Sequence, residues 1–135
     1  MKAAEYAIDI ARDNKAQLFV LTVLDISKIT YAASAFIASP MYGLDKLERN
    51  RKEAHDWLDK VGKLTSQKDN NDFQFKSQIE ESMSVAGTIV DCAENQNIDL
   101  IVVGSRGRSG STKLLLGIVA STVVTYVTCN VMVTK

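Results

Sequence analysis

Apolar positions follow two alternating periods along the chain, which predict helices and buried strands in turn. The apolar residues within 3–11 repeat at helical spacing, so a helix is expected over about 2–13, although no Ser, Thr, Asp or Asn precedes it as a cap. The following run, 17–24, is almost continuously apolar. Such a run is typical of a strand that is covered on both faces in a parallel sheet.

The next elements repeat this order. After a segment over 27–43 that is interpreted as a long crossing loop or partial helix, residues 44–64 carry one apolar and one charged face and predict an amphipathic helix. A polar turn over 69–72 separates this helix from an alternating segment, 73–79. There Phe73, Phe75 and Ile79 alternate with polar residues, which predicts a half-buried or edge strand.

The C-terminal third contains the same two kinds of element. Ser84 is placed to cap a helix that carries Val85, Ile89 and Ala93. Three more elements follow: a buried strand over 100–103, a helix from about Thr112 to Val127, and a last strand over 131–134. This alternation predicts one α/β domain over 1–135, an open parallel sheet with helices on both faces and right-handed crossovers.

The connection from the strand at 100–103 to the next helix carries the most chemistry. Three glycines between Gly104 and Gly110 allow positive φ and let a ligand approach the backbone. Arg106, Arg108 and Lys113 add positive charge, and the helix N-terminus beyond them favours an anion. The segment therefore predicts a phosphate site. A tight turn whose glycines serve only packing stays an alternative.

This loop lacks the spacing of the familiar nucleotide hydrolases and dehydrogenases. It contains no Gly-Lys-Ser or Gly-Lys-Thr at the Walker A position, and the Rossmann spacing G-x-G-x-x-G is absent. His55 is the single histidine and lies on the polar side of its predicted helix, so no hydrolytic triad and no metal cluster can be assembled around it. Whether the chain is an enzyme stays open, and ATP hydrolysis would be slow at most.

Composition narrows the class of protein further. With 135 residues, 46% apolar residues and no net charge, the chain can bury about 70% of its unfolded surface and has no basic excess for nucleic acid. It has no apolar run of membrane-spanning length and no signal-peptide pattern, so we expect a cytoplasmic location without membrane contact. Cys92 and Cys129 stand in apolar contexts, which predicts reduced thiols.

The glycine spacing resembles that of the universal stress protein family. In that family a Gly is followed after two residues by a second Gly and after nine more by a third, which precedes Ser or Thr; Gly104, Gly107 and Gly117 match these positions. The runs 99–107 and 129–133 are also similar to sequences that are common in the family at these positions, and the resemblance covers nearly the whole chain. The resemblance implies that the predicted sheet has the fold of the universal stress proteins, which is adenine-nucleotide α-hydrolase-like.

The resemblance further implies an adenine nucleotide, ATP or AMP with or without magnesium, and a role as a stress-response sensor or regulator. Val23 would line the adenine pocket through its backbone. The phosphates would lie against the loop and the start of the helix, at Gly104, Arg106, Gly107, Arg108, Ser109, Gly110, Gly117, Ile118 and Val119.

The chain departs from the family at two places. Ile118 stands where nucleotide-binding members have a hydroxyl that contacts phosphate, and loss of such a bond costs roughly 1.5–3 kcal/mol, about a tenfold to hundredfold weakening. The chain also opens on a helix, without the central strand and the adenine-contacting Asp of the family. Three explanations stay open: a sequence that begins inside the motif, direct pairing of the flanking strands, and a strand borrowed from another chain.

The final strand is expected at an edge of the sheet, where an exposed apolar strand invites pairing with another chain. In the family this strand pairs antiparallel across a twofold axis, which implies a homodimer through Val131, Met132, Val133 and Thr134. Two other functions stay open: a dimeric interaction module of the same fold that binds no nucleotide, and a flavin or electron-transfer domain of similar topology.

Overall fold

Helices and strands alternate throughout the computed structural model, which describes residues 2–27, 40–68, 74–105 and 116–135. These residues form the elements α1 (Lys2–Asp13), β1 (Leu18–Asp25), α2 (Pro40–Lys68), β2 (Phe75–Ser82), α3 (Val85–Asn95), β3 (Leu100–Gly104), α4 (Ile118–Tyr126) and β4 (Asn130–Thr134). The predicted α/β class is confirmed.

The described strands form two parallel pairs. β1 pairs with β2 from Leu18 opposite Phe75 to Asp25 opposite Ser82. β3 pairs with β4 over its whole length, and no pairing joins β1 to β3 among the described residues. The parallel strand direction is confirmed. Direct pairing of the two strands that flank the centre, one of the explanations left open by the sequence, does not occur.

The helices cover the sheet in two layers, α1 with α2 and α3 with α4. The main core lies under the first layer, where Ile8, Ala11, Leu18 and Val61 are buried together. Ala93 and Val123 are buried in the second layer, where α3 packs against α4. Each helix therefore turns its small and aliphatic residues towards the strands, as the helical spacing predicts.

Two helix boundaries differ from the prediction. α2 extends beyond 44–64 at both ends, because the amphipathic pattern marks only its core-facing turns. α4 begins at Ile118 and not near Thr112, since Gly117 has an extended backbone, with φ −65° and ψ 158°, and forms the N-cap. Val127 likewise lies at the C-cap, outside the helix. The expected turn over 69–72 and the segment 106–115 lie outside the described residues.

β1 is less covered than its apolar sequence predicts. Only Leu18 and Leu24 are buried, and the residues between them are half-buried. The reason is a cavity of about 550 Å³ between β1 and β3, which is bounded by α1 and Trp57 of α2 in one helix layer and by α3 in the other. We call this cavity the central slot.

Candidate functional site

The base of the glycine-rich loop is fixed by Ser105, which directly follows β3 and is buried. Its N–H donates to the carbonyl oxygen of Thr134 at 2.7 Å, which ties the residue to β4. Its carbonyl oxygen accepts from the N–H of Gly117, also at 2.7 Å. Ser105 and Gly117 therefore lie together at the carboxyl end of β3, where open α/β sheets bind their ligands.

The first turn of α4 leaves its amides without internal acceptors. The first intrahelical bond runs from the Ser121 N–H to the Gly117 carbonyl oxygen at 2.9 Å, and no side chain of the described residues caps this end. The N–H groups of Ile118, Val119 and Ala120 precede that bond, so the helix offers them no acceptor. They also stand at the positive end of the helix dipole, and an anion is favoured there.

The side chains of this turn are apolar and exposed. Ile118 is 79% exposed and Val119 is 38% exposed. Hydroxyls follow at the exposed Ser121 and at Thr122, and that of Thr122 donates to the carbonyl oxygen of Ile118 at 2.8 Å. The side chains of Ile118, Val119 and Ala120 themselves add no hydrogen-bond donor beside these amides.

The end of β1 carries the second part of the predicted site. The amides of Leu18 and Ile26 donate to β2, so in this alternating ladder the backbone groups of Val23 point to the opposite edge, towards the central slot. Asp25, which ends the strand, accepts hydrogen bonds from the N–H of Ser27 at 2.9 Å and from its hydroxyl at 2.6 Å.

The structure brings only part of the predicted site together. Gly104 ends β3 and Gly117 caps α4, and Ser105 joins the two directly. Val23 lies in the other strand pair, and Ile118 and Val119 form the first turn of α4. The remaining predicted residues lie outside the described residues: Arg106, Gly107, Arg108, Ser109 and Gly110.

Ser105 is the residue that sequence reasoning missed. A serine between a glycine and an arginine looks like an ordinary solvated loop residue. The available signal was its place directly after a buried strand, where backbone groups must still find partners within the fold. Through its own backbone it joins the end of β3 to Thr134 of β4 and to Gly117 at the start of α4.

The predicted dimer strand has one free edge among the described residues. The carbonyl oxygen of Thr134 faces β3, so the backbone groups of Val131 and Val133 face outward. Met132 is partly exposed, whereas the Thr134 side chain is buried and its hydroxyl donates to the carbonyl oxygen of Val103 at 3.4 Å. The Thr134 side chain therefore packs within the subunit and is not available to a second chain.

The shifted pKa values include those of Glu81 and Cys92, which lie outside the predicted site. Arg51 of α2 donates to Glu81 of β2 and thereby lowers the pKa of that carboxyl group. Burial raises the pKa of the Cys92 thiol, and the charge of Glu80 adds to the effect, so the thiol is protonated at neutral pH. Cys92 and Cys129 are both free thiols.

The described residues contain neither a cluster of metal ligands nor a membrane-spanning helix. In these ranges no three His, Cys, Asp or Glu side chains come together as metal ligands. Within the same ranges, no helix combines the length and the apolar character needed to cross a membrane. His55 is exposed on α2.

Comparison with known proteins places the chain in a family. The model of the universal stress protein family matches residues 1–135. A universal stress protein of Methanocaldococcus jannaschii is 33% identical over 138 residues, which cover 100% of this chain and 74% of that protein. The solved universal stress protein UspA from Lactobacillus plantarum superposes with a TM-score of 0.83 at 25% identity, covering 99% of this chain and 88% of that chain.

A further solved relative was crystallised with a ligand. It is a universal stress protein in complex with cAMP, similar to this chain with a TM-score of 0.58 and 21% identity over 99% of this chain and 85% of that one. At that identity the likeness concerns the fold. The match of the family model over the full length, together with the glycine-marked strand-to-helix connection at β3 and α4, shows that the chain belongs to the universal stress protein family.

Proposed function

We propose that the protein binds an adenine nucleotide, ATP or AMP with or without magnesium, and acts as a sensor or regulator in the stress response. The observation that carries the proposal is the uncapped first turn of α4, which the Ser105–Gly117 hydrogen bond holds at the carboxyl end of β3. Three amides and a helix dipole converge there on a position that suits a phosphate.

The family supports the rest of the assignment. A solved relative binds cAMP, an adenine nucleotide with a phosphate group. In this chain the backbone of Val23 would contact the base, and Arg106 and Arg108 would supply charge to the phosphates from the loop. The regulatory role rests on family membership alone.

Ile118 sets the expected affinity. Its N–H can still donate to a phosphate oxygen, but its side chain offers no hydrogen bond. Binding is therefore expected to be about tenfold to hundredfold weaker than with a hydroxyl at this position. Because the residue is 79% exposed, a serine can replace it without opening a cavity in the core.

The first test is isothermal titration of ATP and AMP, with magnesium, against the protein and its variant Ile118→Ser. Val124→Ser is the matched control, since it adds the same hydroxyl to an exposed position of α4 beyond the first turn. We expect saturable binding to the unmodified protein, about tenfold to hundredfold tighter binding by Ile118→Ser, and no change in Val124→Ser.

Three outcomes would contradict the proposal. Absence of binding to both proteins at millimolar nucleotide would make the loop structural and favour the interaction module. An equal gain from Val124→Ser would remove the first turn of α4 from the site. Rapid ATP turnover by protein free of contaminants would also contradict the assignment, because the sequence predicts slow hydrolysis at most.

We also propose that the protein forms a homodimer through β4. The free edge of this strand presents the outward backbone groups of Val131 and Val133 beside the partly exposed side chain of Met132. Edges of this kind pair readily with an identical edge across a twofold axis.

A further inference from the structure

The outer edge of β2 has no strand beside it within the described ranges, where β2 pairs with β1 alone. The carbonyl oxygens of Gln74 and Ser82 both accept hydrogen bonds from the β1 side. In this alternating ladder the even-numbered residues of β2 direct their backbone groups towards β1, so those of the odd-numbered residues face outward. β2 therefore presents a strand edge of eight residues.

One face of β2 is covered by α2. Glu81 accepts a hydrogen bond from Arg51 of that helix, and a Cβ on Gly62 of α2 would lie 3.9 Å from the ring of Phe75. Because side chains alternate along a strand, the odd-numbered residues of β2 face α2 and the even-numbered residues lie on the other face.

The other face of β2 carries a row of polar side chains at every second position. Lys76 and Gln78 are exposed, and Glu80 is half-buried. The side-chain amide of Gln78 donates to the carboxylate of Glu80, so these two side chains share the face. One positive and one negative charge thus stand two residues before and two residues after Gln78.

This arrangement of charges is complementary to itself. When two copies of β2 pair antiparallel across a twofold axis at Gln78, Lys76 of each copy lies directly opposite Glu80 of the other. The even-numbered residues then form the closely spaced pairs of the ladder, with Cα atoms about 4.5 Å apart, where opposite charges are favourable. Any other twofold register separates the two charges.

The odd-numbered residues fit the same register. Phe75 lies opposite Glu81 and Ser77 lies opposite Ile79, so no like charges meet on the face towards α2. These are also the residues whose backbone groups face outward, and each opposite pair can exchange two N–H···O bonds. The register therefore satisfies the backbone and the side chains together.

We propose that the outer edge of β2 is an interface with a second copy of the chain, in which the two strands pair antiparallel about Gln78. The occupant is a second copy because the charges of the edge match their own twofold image. The contact joins one polar strand pair without an apolar core, so association is expected only at submillimolar concentrations. It depends neither on nucleotide binding nor on the edge of β4.

The test introduces a cysteine at the proposed axis. Gln78→Cys, in a chain whose Cys92 and Cys129 are replaced by alanine, places two Cα atoms about 4.5 Å apart, within disulfide reach. Mild oxidation at submillimolar protein should yield a covalent dimer on a denaturing, non-reducing gel. Gln74→Cys is the matched control, because it is an exposed glutamine on the same face whose counterpart lies eight residues away, about 26 Å. It should crosslink at least about tenfold more slowly.

A charge exchange tests the register. In the Gln78→Cys chain, Lys76→Glu and Glu80→Lys each set like charges opposite one another, and each should slow crosslinking by about tenfold. In an equimolar mixture of these two variants, unlike chains face each other with opposite charges. Mass spectrometry should therefore find mixed dimers in excess over dimers of either variant, and circular dichroism checks that every variant is folded.

Three results would overturn the proposal. Equal crosslinking rates of Gln78→Cys and Gln74→Cys would show collision without a defined register. A mixture without an excess of mixed dimers would exclude the pairing of Lys76 with Glu80. Slow hydrogen exchange at the outward amides of Ser77 and Ile79 in dilute protein would show that another part of the chain already covers this edge.

Discussion

Ile118 illustrates how an exposed residue can alter a ligand site without altering the fold. Its side chain is 79% exposed and belongs to no buried cluster of the described residues. Ile118→Ser is therefore expected to change the free energy of unfolding by no more than about 0.5 kcal/mol. A change in nucleotide affinity in that variant can then be assigned to the hydroxyl itself.

The ion pair between Arg51 and Glu81 gives a prediction at the same scale. The guanidinium of Arg51 holds the pKa of Glu81 below its ordinary value of 4.5, chiefly through a hydrogen bond. Arg51→Gln should raise that pKa towards 4.5, as measured by carboxyl carbon chemical shifts in an NMR titration. Glu48→Gln is the control, because Glu48 binds a different nitrogen of Arg51.

The direction of the linked effect on stability follows from the lowered pKa. The stabilisation from this pair is fully present above the unfolded pKa of Glu81 and is lost as the pH falls through the folded pKa. An unchanged Glu81 titration in Arg51→Gln would show that the contact does not persist in solution. Both side chains are solvent-accessible, so salt should weaken the effect.

At the scale of elements, α3 and α4 differ in how their N-termini are capped. Ser84 caps α3: its backbone is extended and its hydroxyl oxygen accepts from the N–H of Gly87 at 3.2 Å. A Cβ on Gly87 would lie 2.9 Å from that oxygen, so glycine leaves the cap its space. α4 starts at Gly117 with no such side chain, which leaves its first amides available to a ligand.

This contrast predicts the cost of removing the cap of α3. Ser84→Ala should lower the free energy of unfolding by about 1 kcal/mol, because it removes the acceptor of a first-turn amide. Urea denaturation followed by circular dichroism measures the change. Ser66→Ala on α2 is the control, since that exposed hydroxyl donates only to a helix carbonyl, and a change within about 0.5 kcal/mol is expected. Equal losses in both variants would contradict a capping role.

At the scale of the whole molecule, the outer edge of β4 determines the proposed assembly. Val133→Pro removes an outward amide while the bonds from β3 stay intact, so it should convert the dimer to a monomer in light scattering at micromolar concentrations. Val133→Thr keeps both the amide and the branched shape and should stay dimeric. A dimer that survives Val133→Pro would exclude this edge.

The order of elements could be predicted from the sequence because periodicity depends on local geometry. The spacing of apolar residues identified α1, α3 and all four strands, and the serine at the start of α3 identified its cap. The glycine spacing identified the family, which the full-length match confirms. The start of α4 was predicted too early, because apolar spacing continues through a glycine that the backbone uses as a boundary.

The central slot could not be predicted from local sequence patterns, because it depends on how β1 and β3 lie relative to each other. The sequence by itself determined the α/β class and the family, because these depend on the period of side chains and on short spacings, whereas the positions it assigns to a nucleotide stay a prediction. Only the tertiary structure decided that β1 and β3 do not pair with each other, that Ser105 bonds to Gly117, and that the Thr134 side chain is buried. These three facts depend on which distant segments lie side by side. Such pairing uses backbone groups that nearly every residue has, so the sequence does not reveal it.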